Sequence, residues 1–318
     1  MHPAFSIVLF TTLSGAGYGL LFTVGLIAPF GIVSENRWLG LGVMGVGLGL
    51  VGAGLVASTF HLRHPERAWR ALSQWRSSWL SREGVLALLT FIPAVVFAAG
   101  WVVWQNLGGP WVIAGSLMAI GALLTVAATA MIYRSLKTVP RWDNAWTLPT
   151  YLTLALATGN LVLLAVLSIA GPDMAALHVF KIVALIALVV AGIVRIESWP
   201  AIDAMAAESS AGSATGLSAL GAVRPLDPAH TSANYVQREM VFAVARKHAV
   251  KLRRIAALMI FVLPFLLVAL SLALTSVGAA VACVTAALCG YAGVLVERWL
   301  FFAEARHKVS LYYGAEAV

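Results

Sequence analysis

The feature that most constrains this chain is a repeated apolar run long enough to cross a lipid bilayer. A transmembrane helix needs about 20 largely apolar residues. Eight such runs are legible, at about 5–33, 39–60, 84–106, 111–133, 147–170, 174–196, 255–275 and 277–303. In hydrocarbon a backbone must satisfy its own hydrogen bonds, so each run has to be a helix. The expected fold is all-α: a polytopic membrane bundle of eight transmembrane helices forming one domain over 1–318. Composition agrees, because hydrophobic residues make up 61% of the sequence and charged residues 11%, against about 25% charged in a soluble domain. The first run is too long for a signal peptide and lacks both a basic start and an Ala-x-Ala exit, so it reads as a span. Small residues crowd the first two spans, as in Ser14-Gly15-Ala16-Gly17-Tyr18-Gly19 and the glycines at 40, 42, 45, 47, 49, 52 and 54. They are expected to let helix backbones approach closely in lipid.

Charge sets the orientation. Of the 21 Lys and Arg residues, only Arg37 and Lys181 fall on one side of the alternation; the other 19 fall on the opposite side. By the positive-inside rule both termini and the long connectors are cytoplasmic, in the inner membrane of a bacterium. The net charge of +8 therefore marks a membrane face in contact with lipid, and no nucleic acid is implied. The opposite loops are minimal turns, so the functional face is the cytoplasmic one. The connector 198–254 is the one extended water-soluble stretch. Its middle, ESSAGSATGLSALG, reads as an irregular loop, and Val236 to Arg254 reads as a basic helix lying near the surface before span seven. That helix suits anionic lipid and a soluble subunit equally.

Several chemistries are excluded. There is no P-loop, dinucleotide fingerprint or Cys cluster. Cys283 and Cys289 are six residues apart in one helix and point to different faces, so no metal site is expected. No two histidines are both deep and level, so no haem is expected in this protein. The ionisable groups near the bilayer are Glu83, Lys181, Arg195 with Glu197, and Glu297 with Arg298. Lys181 is expected to snorkel to the outer surface, and the Arg/Glu groups at span ends are expected to pair structurally.

The connector His61–Glu83 stands apart. It carries five arginines (63, 67, 70, 76 and 82) and three tryptophans (69, 75 and 79), with a His at its entrance and a Glu at its exit. Glu83 opens span three, where a carboxylate caps a helix N-terminus favourably. His61 closes span two, where a cation suits the helix dipole. The same two groups, brought together by the returning loop, are a titratable pair at headgroup depth. Such a pair meets the needs of a quinone head group, which takes a hydrogen bond at each carbonyl and a proton at each oxygen.

Phe60-His61-Leu62 with Pro65-x-Arg67-Ala68, followed by Ser78-Trp79-Leu80-Ser81-x-Glu83, resembles the signature of the membrane-anchor subunits of the dimethyl sulfoxide reductase family (DmsC-like). Phe10 to Gly19, Thr138-Val139-Pro140-Arg141-Trp142 with Trp146-Thr147, and Glu297-Arg298-Trp299-x-Phe301 match too. The resemblance runs over nearly the whole sequence and is weakest in the connector 198–254. It implies a non-catalytic anchor without haem that binds a quinone (ubiquinone or menaquinone) at His61 and Glu83. It implies two partners, a ferredoxin-like iron–sulfur subunit and a molybdopterin catalytic subunit, which hold the metal cofactors. His64, Arg67, Trp69, Arg70, Trp75 and Arg82 would wall the pocket or dock the partner, although an interfacial basic and aromatic belt accounts for most of them.

In one respect the sequence departs from the dimethyl sulfoxide reductase pattern: the arginine-rich connector faces the cytoplasm. That arrangement resembles the anchors of cytoplasmic sulfite dehydrogenases (SoeC-like), which pass electrons from sulfite into the quinone pool. A quinol-oxidising anchor is the alternative within the family. A transporter is the alternative outside it, disfavoured by the lack of repeated halves and paired midplane charges.

Overall fold

A computed structural model of the protein describes residues 4–60, 62, 64–171, 174–224, 226–227, 232, 234, 244–313 and 315–318. Eight helices are long and apolar enough to cross a membrane. The first six are Phe5–Ile27, Arg37–Thr59, Trp79–Val102, Pro110–Arg134, Thr147–Ala170 and Met174–Asp203. The seventh combines Val244–Ala257, a π-turn Leu258–Val262 and Leu263–Leu270, and the eighth is Ser276–Ala303. No strand occurs among the described residues; one isolated bridge joins Ser210 to Ala317.

The first span is the hub. It packs against the second, fourth, fifth and eighth spans, while the third leans on the fourth and the seventh on the eighth. With no water to expel between lipid-embedded helices, close backbone approach supplies the packing energy. The tightest crossing is between spans one and five. A methyl group added at Gly19 would run into the Ala155 carbonyl, and one at Gly159 would run into the backbone of Gly19 and Leu20. In span two the glycines divide. Gly40, Gly47 and Gly54 lie against Trp101, Leu20 with Leu21, and Ser14 respectively, whereas Gly45, Gly49 and Gly52 face open space.

Local chemistry explains the helix ends. Asn36 caps span two by accepting hydrogen bonds from the Trp38 and Leu39 amides at 2.8 and 3.3 Å. The π-turn of span seven immediately precedes Pro264, whose ring and missing N–H disrupt the regular ladder one turn upstream. On the side of the short loops, the Trp101 indole donates to the Ser34 carbonyl at 3.0 Å and the Leu107 amide to Glu35 at 2.9 Å.

Three sequence expectations change. Lys181 does not snorkel; it is fully buried and donates to the Ser271 carbonyl at 2.6 Å. Ser271 ends the seventh span, and the last carbonyls of a helix have no partner of their own, so the ammonium finds its acceptor inside the bundle. The basic helix before span seven is not a separate surface element: from Val244 it continues into the span, while residues 236–243 lie outside the described residues. Span six, expected to stop near 196, continues to Asp203, which carries Arg195 and Asp203 on one rigid rod.

The extended rod closes one face. Arg141 bridges Asp203 at 2.7 Å and Glu304 at 3.0 Å, and Arg253 bridges the same two carboxylates. The C-terminal tail is pinned alongside by Lys308 to Glu208 at 3.0 Å and by paired backbone bonds between Ser209 and Val318.

Candidate functional site

The connector between spans two and three folds as a 3₁₀ helix, Pro65–Gln74, that turns back over the start of span three. Its side groups explain the fold. Ser78 caps span three through the Ser81 amide at 3.4 Å, and the Ser81 hydroxyl donates to the Ala71 carbonyl. The Arg82 guanidinium donates to the Trp75 and Arg76 carbonyls at 3.0 and 2.6 Å, and stacks over Trp79 at 4.3 Å. Leu72 presses on the helix beside Gly84.

Under this cover lies Glu83. It is 5% exposed and sits in the fifth position of the helix, facing inward. It does not cap its own helix: its carboxylate accepts a hydrogen bond from the Thr129 hydroxyl of span four. The Tyr18 hydroxyl of span one lies beside Thr125 and within electrostatic range of the carboxylate. Thr125 and Thr129 stand one helical turn apart on the face of span four that Glu83 meets, and Thr90 of span three touches Thr125 at 3.3 Å. Among the described residues no cation forms an ion pair with Glu83, whereas Glu66, Glu208, Glu297, Glu304 and Asp203 all have one.

Beyond Thr129 runs a narrow crevice bordered by Thr12, Ser14, Thr129, Tyr151, Thr158 and Arg298. It has room for about one water molecule and none for a six-membered ring. Tyr151 in its wall stacks on Tyr133 at 5.7 Å, and Tyr133 meets Trp142 edge-on at 5.3 Å.

The other residues singled out by sequence fall elsewhere. His61 lies outside the described residues. His64 is exposed and meets Glu66 at 3.0 Å, and Arg67 is exposed 3.7 Å from the same carboxylate. Trp69 and Trp75 are 66% and 52% exposed, each with a neighbouring arginine stacked on it, Arg70 at 5.5 Å and Arg76 at 5.4 Å. Arg82 is held by the connector's own carbonyls. None of these six reaches the Glu83 carboxylate; they form an outward-facing basic and aromatic belt. Among the described residues no group of three His, Cys, Asp or Glu could hold a metal ion, and both cysteines are free thiols.

Sequence reasoning missed the polar residues that Glu83 meets. Tyr18, Thr125 and Thr129 are scattered polar positions in apolar spans, and only the four-residue spacing of the two threonines on span four hinted at a shared face. Of the two pairings expected along the sequence, Glu297 with Arg298 is present at 3.4 Å, but Arg195 reaches Glu297 on another span at 2.6 Å and Glu197 is exposed.

Comparison with known proteins agrees with this architecture. The sequence matches the family described as DMSO reductase anchor subunit (DmsC) over residues 1–314. It is 32% identical, over 334 aligned positions spanning 100% of both proteins, to the C subunit of the sulfite dehydrogenase of Allochromatium vinosum. It is 30% identical over 156 positions, 46% of this protein and 51% of the other, to the C component of the anaerobic dimethyl sulfoxide reductase of Escherichia coli K12. With the family matched from the first residue to within a few of the last, and eight spans to carry it, this multi-pass membrane protein belongs to the DMSO reductase anchor subunit family.

Proposed function

We propose that this protein is the quinone-binding anchor of a cytoplasmic molybdenum and iron–sulfur oxidoreductase, transferring electrons from sulfite oxidation to the quinone pool. One observation carries the reading: Glu83 is a buried carboxyl group at the edge of a bundle with no partner cation among the described residues. An ionisable group in that position is costly and calls for a function. Its Thr129 hydrogen bond orients it without neutralising it. This fits a head group that needs both a hydrogen-bond donor and a proton.

The crevice beyond Thr129 is too narrow for the ring, so the head group is assigned to the connector side of Glu83, toward the end of span two, which His61 follows in the sequence. When bound, a quinone supplies two-electron, two-proton redox chemistry. The residues of this protein bind and orient it: Glu83 holds a proton at its carboxyl oxygens, Thr129 fixes that carboxyl, and His61 offers the second hydrogen bond. The anchor is non-catalytic alone. A ferredoxin-like iron–sulfur subunit docks on the exposed belt of Arg67, Arg70, Trp69 and Trp75, and a molybdopterin subunit holds the substrate. The 19-to-2 distribution of Lys and Arg supports a cytoplasmic location for that belt and both termini, in the inner membrane. It also supports a cytoplasmic side for the connector 198–254, whose first residues, as far as Asp203, continue the sixth span. The full-length match to a sulfite dehydrogenase subunit supports sulfite as the electron source.

The test is Glu83→Gln in the assembled complex. Sulfite-dependent reduction of decylubiquinone should fall at least about a hundredfold, the usual range for loss of a proton-transfer group, while the partners still co-purify. Wild-type turnover in this variant refutes the assignment. Sulfite failing to reduce decylubiquinone in the unaltered complex, with quinol-driven reductase activity present instead, reverses the direction of flow.

A further inference from the structure

The inner charges line up as a column that reaches the crevice beside Thr129, the residue that holds Glu83. At the face where spans six and eight terminate, a second water-sized cavity is bordered by Arg141, Glu304, Arg195, Trp199, Thr147 and Thr150. From there Arg195 reaches Glu297 at 2.6 Å, with side chains 6% and 0% exposed, and Glu297 meets the Arg298 guanidinium at 3.4 Å. Arg298 lies over the Tyr151 ring, 3.7 Å from its centre. Arg298 and Tyr151 both border the inner crevice, as does Thr129, which holds Glu83. The Arg195 Nε, Arg298 Nη1 and Thr150 Oγ1 atoms are buried and make no hydrogen bond to protein. Buried polar atoms of this kind are satisfied by water or cost free energy, and they occur at both cavities.

We propose that this column is the proton-uptake route to Glu83, with Glu297 and Tyr151 as its relay groups. The proposal rests on the quinone reading above. Three features favour it over a purely structural role. First, ion pairing alone is a weak reason to bury charge, because desolvation offsets most of the Coulomb gain. Second, the arginines along the column are countered: Arg141 and Arg253 pair with Asp203 and Glu304, and Arg195 and Arg298 with Glu297. The Glu83 carboxyl, with no cation partner among the described residues, stands at its end, so the arginines do not form an uncompensated positive barrier to a proton. Third, the direct way to Glu83 is covered by the connector, whose Arg67, Arg70, Arg76 and Arg82 make it cationic. The column opens on a different part of the same face, beside the carboxylates Asp203 and Glu304. Depth is consistent: Thr129, Tyr151 and Glu297 lie within two helical turns of the ends of their spans, roughly 10 Å. The protons consumed at Glu83 enter at Glu304, and the electrons come from the iron–sulfur partner.

The experiment uses the assembled complex with sulfite and decylubiquinone, following proton uptake with a pH-indicator dye in stopped flow and decylubiquinone binding by equilibrium dialysis. Replacing Glu297 alone would leave Arg195 buried and unpaired, so the variant is Arg195→Gln with Glu297→Gln, beside Tyr151→Phe. Proton uptake should slow at least about tenfold in each, with a larger solvent deuterium isotope effect and decylubiquinone affinity within twofold of wild type. Glu297→Asp should recover part of the rate. Wild-type proton uptake with normal binding in both variants overturns the route and leaves the quinone site standing. Absence of decylubiquinone binding in the unaltered complex overturns the quinone reading itself. If the double variant fails to assemble, Tyr151→Phe, which removes one oxygen, decides alone.

Discussion

At the scale of single residues, polar groups in this bundle are either paired or positioned. Lys181 is buried to its ammonium yet has a carbonyl to donate to, so its removal should cost more than lost packing. Lys181→Ala leaves the Ser271 carbonyl without its donor and opens a void, and should destabilise the protein by roughly 2–4 kcal/mol. Thermal unfolding in detergent would register this, and a melting temperature equal to wild type would contradict it. Thr129 is a milder case. Thr129→Val keeps the shape and removes the hydrogen bond on Glu83, worth about 1–3 kcal/mol because the acceptor is a carboxylate. Decylubiquinone turnover should fall about tenfold, with stability lowered by no more than that amount; no change in turnover would mean that Glu83 is oriented by other groups.

At the scale of elements, glycines with the same apparent role in sequence differ in the fold. Gly19 and Gly159 hold spans one and five at backbone contact, whereas Gly45 and Gly49 have nothing near them. Gly19→Ala therefore drives a methyl group into a backbone carbonyl that cannot move aside, and should cost at least about 1–3 kcal/mol with poor accumulation in membranes. Gly49→Ala should be neutral or slightly stabilising through helix propensity. Comparing the two by membrane yield and thermal unfolding tests the assignment, and equal behaviour would refute it. The connector Pro65–Gln74 behaves as one element too, since Ser81 and Arg82 of the next helix hold its carbonyls and those that follow it. Its tryptophans and arginines are thereby presented outward, where a partner or headgroup can meet them.

At the scale of the whole molecule, the ionic tie among Arg141, Asp203, Arg253 and Glu304 joins four segments distant in sequence. Single exposed ion pairs contribute little, typically under about 1 kcal/mol, but here Glu304 and Arg253 are largely shielded and share partners. Glu304→Gln should loosen the C-terminal tail and speed its proteolysis, with the bundle itself intact. The even number of spans places both ends on one face. A reporter fused to the C-terminus should be active only in the cytoplasm, and a periplasmic signal would invert the topology.

The amino-acid order by itself determined the class of fold, the number of spans and the family, and it carries the argument for the side on which the protein begins and ends. These follow from properties that sum along the sequence: hydropathy over some twenty residues, cations counted loop by loop, and short motifs. It also singled out Glu83, because a carboxylate at the mouth of a span is conspicuous in one dimension. Only the tertiary structure decided what Glu83 faces and which charges pair. Arg195 finds Glu297 on another span and Lys181 finds a carbonyl at a distant helix end, because a buried charge takes the partner that packing brings near. Helix packing places that partner many residues away, where no pattern along the sequence records it.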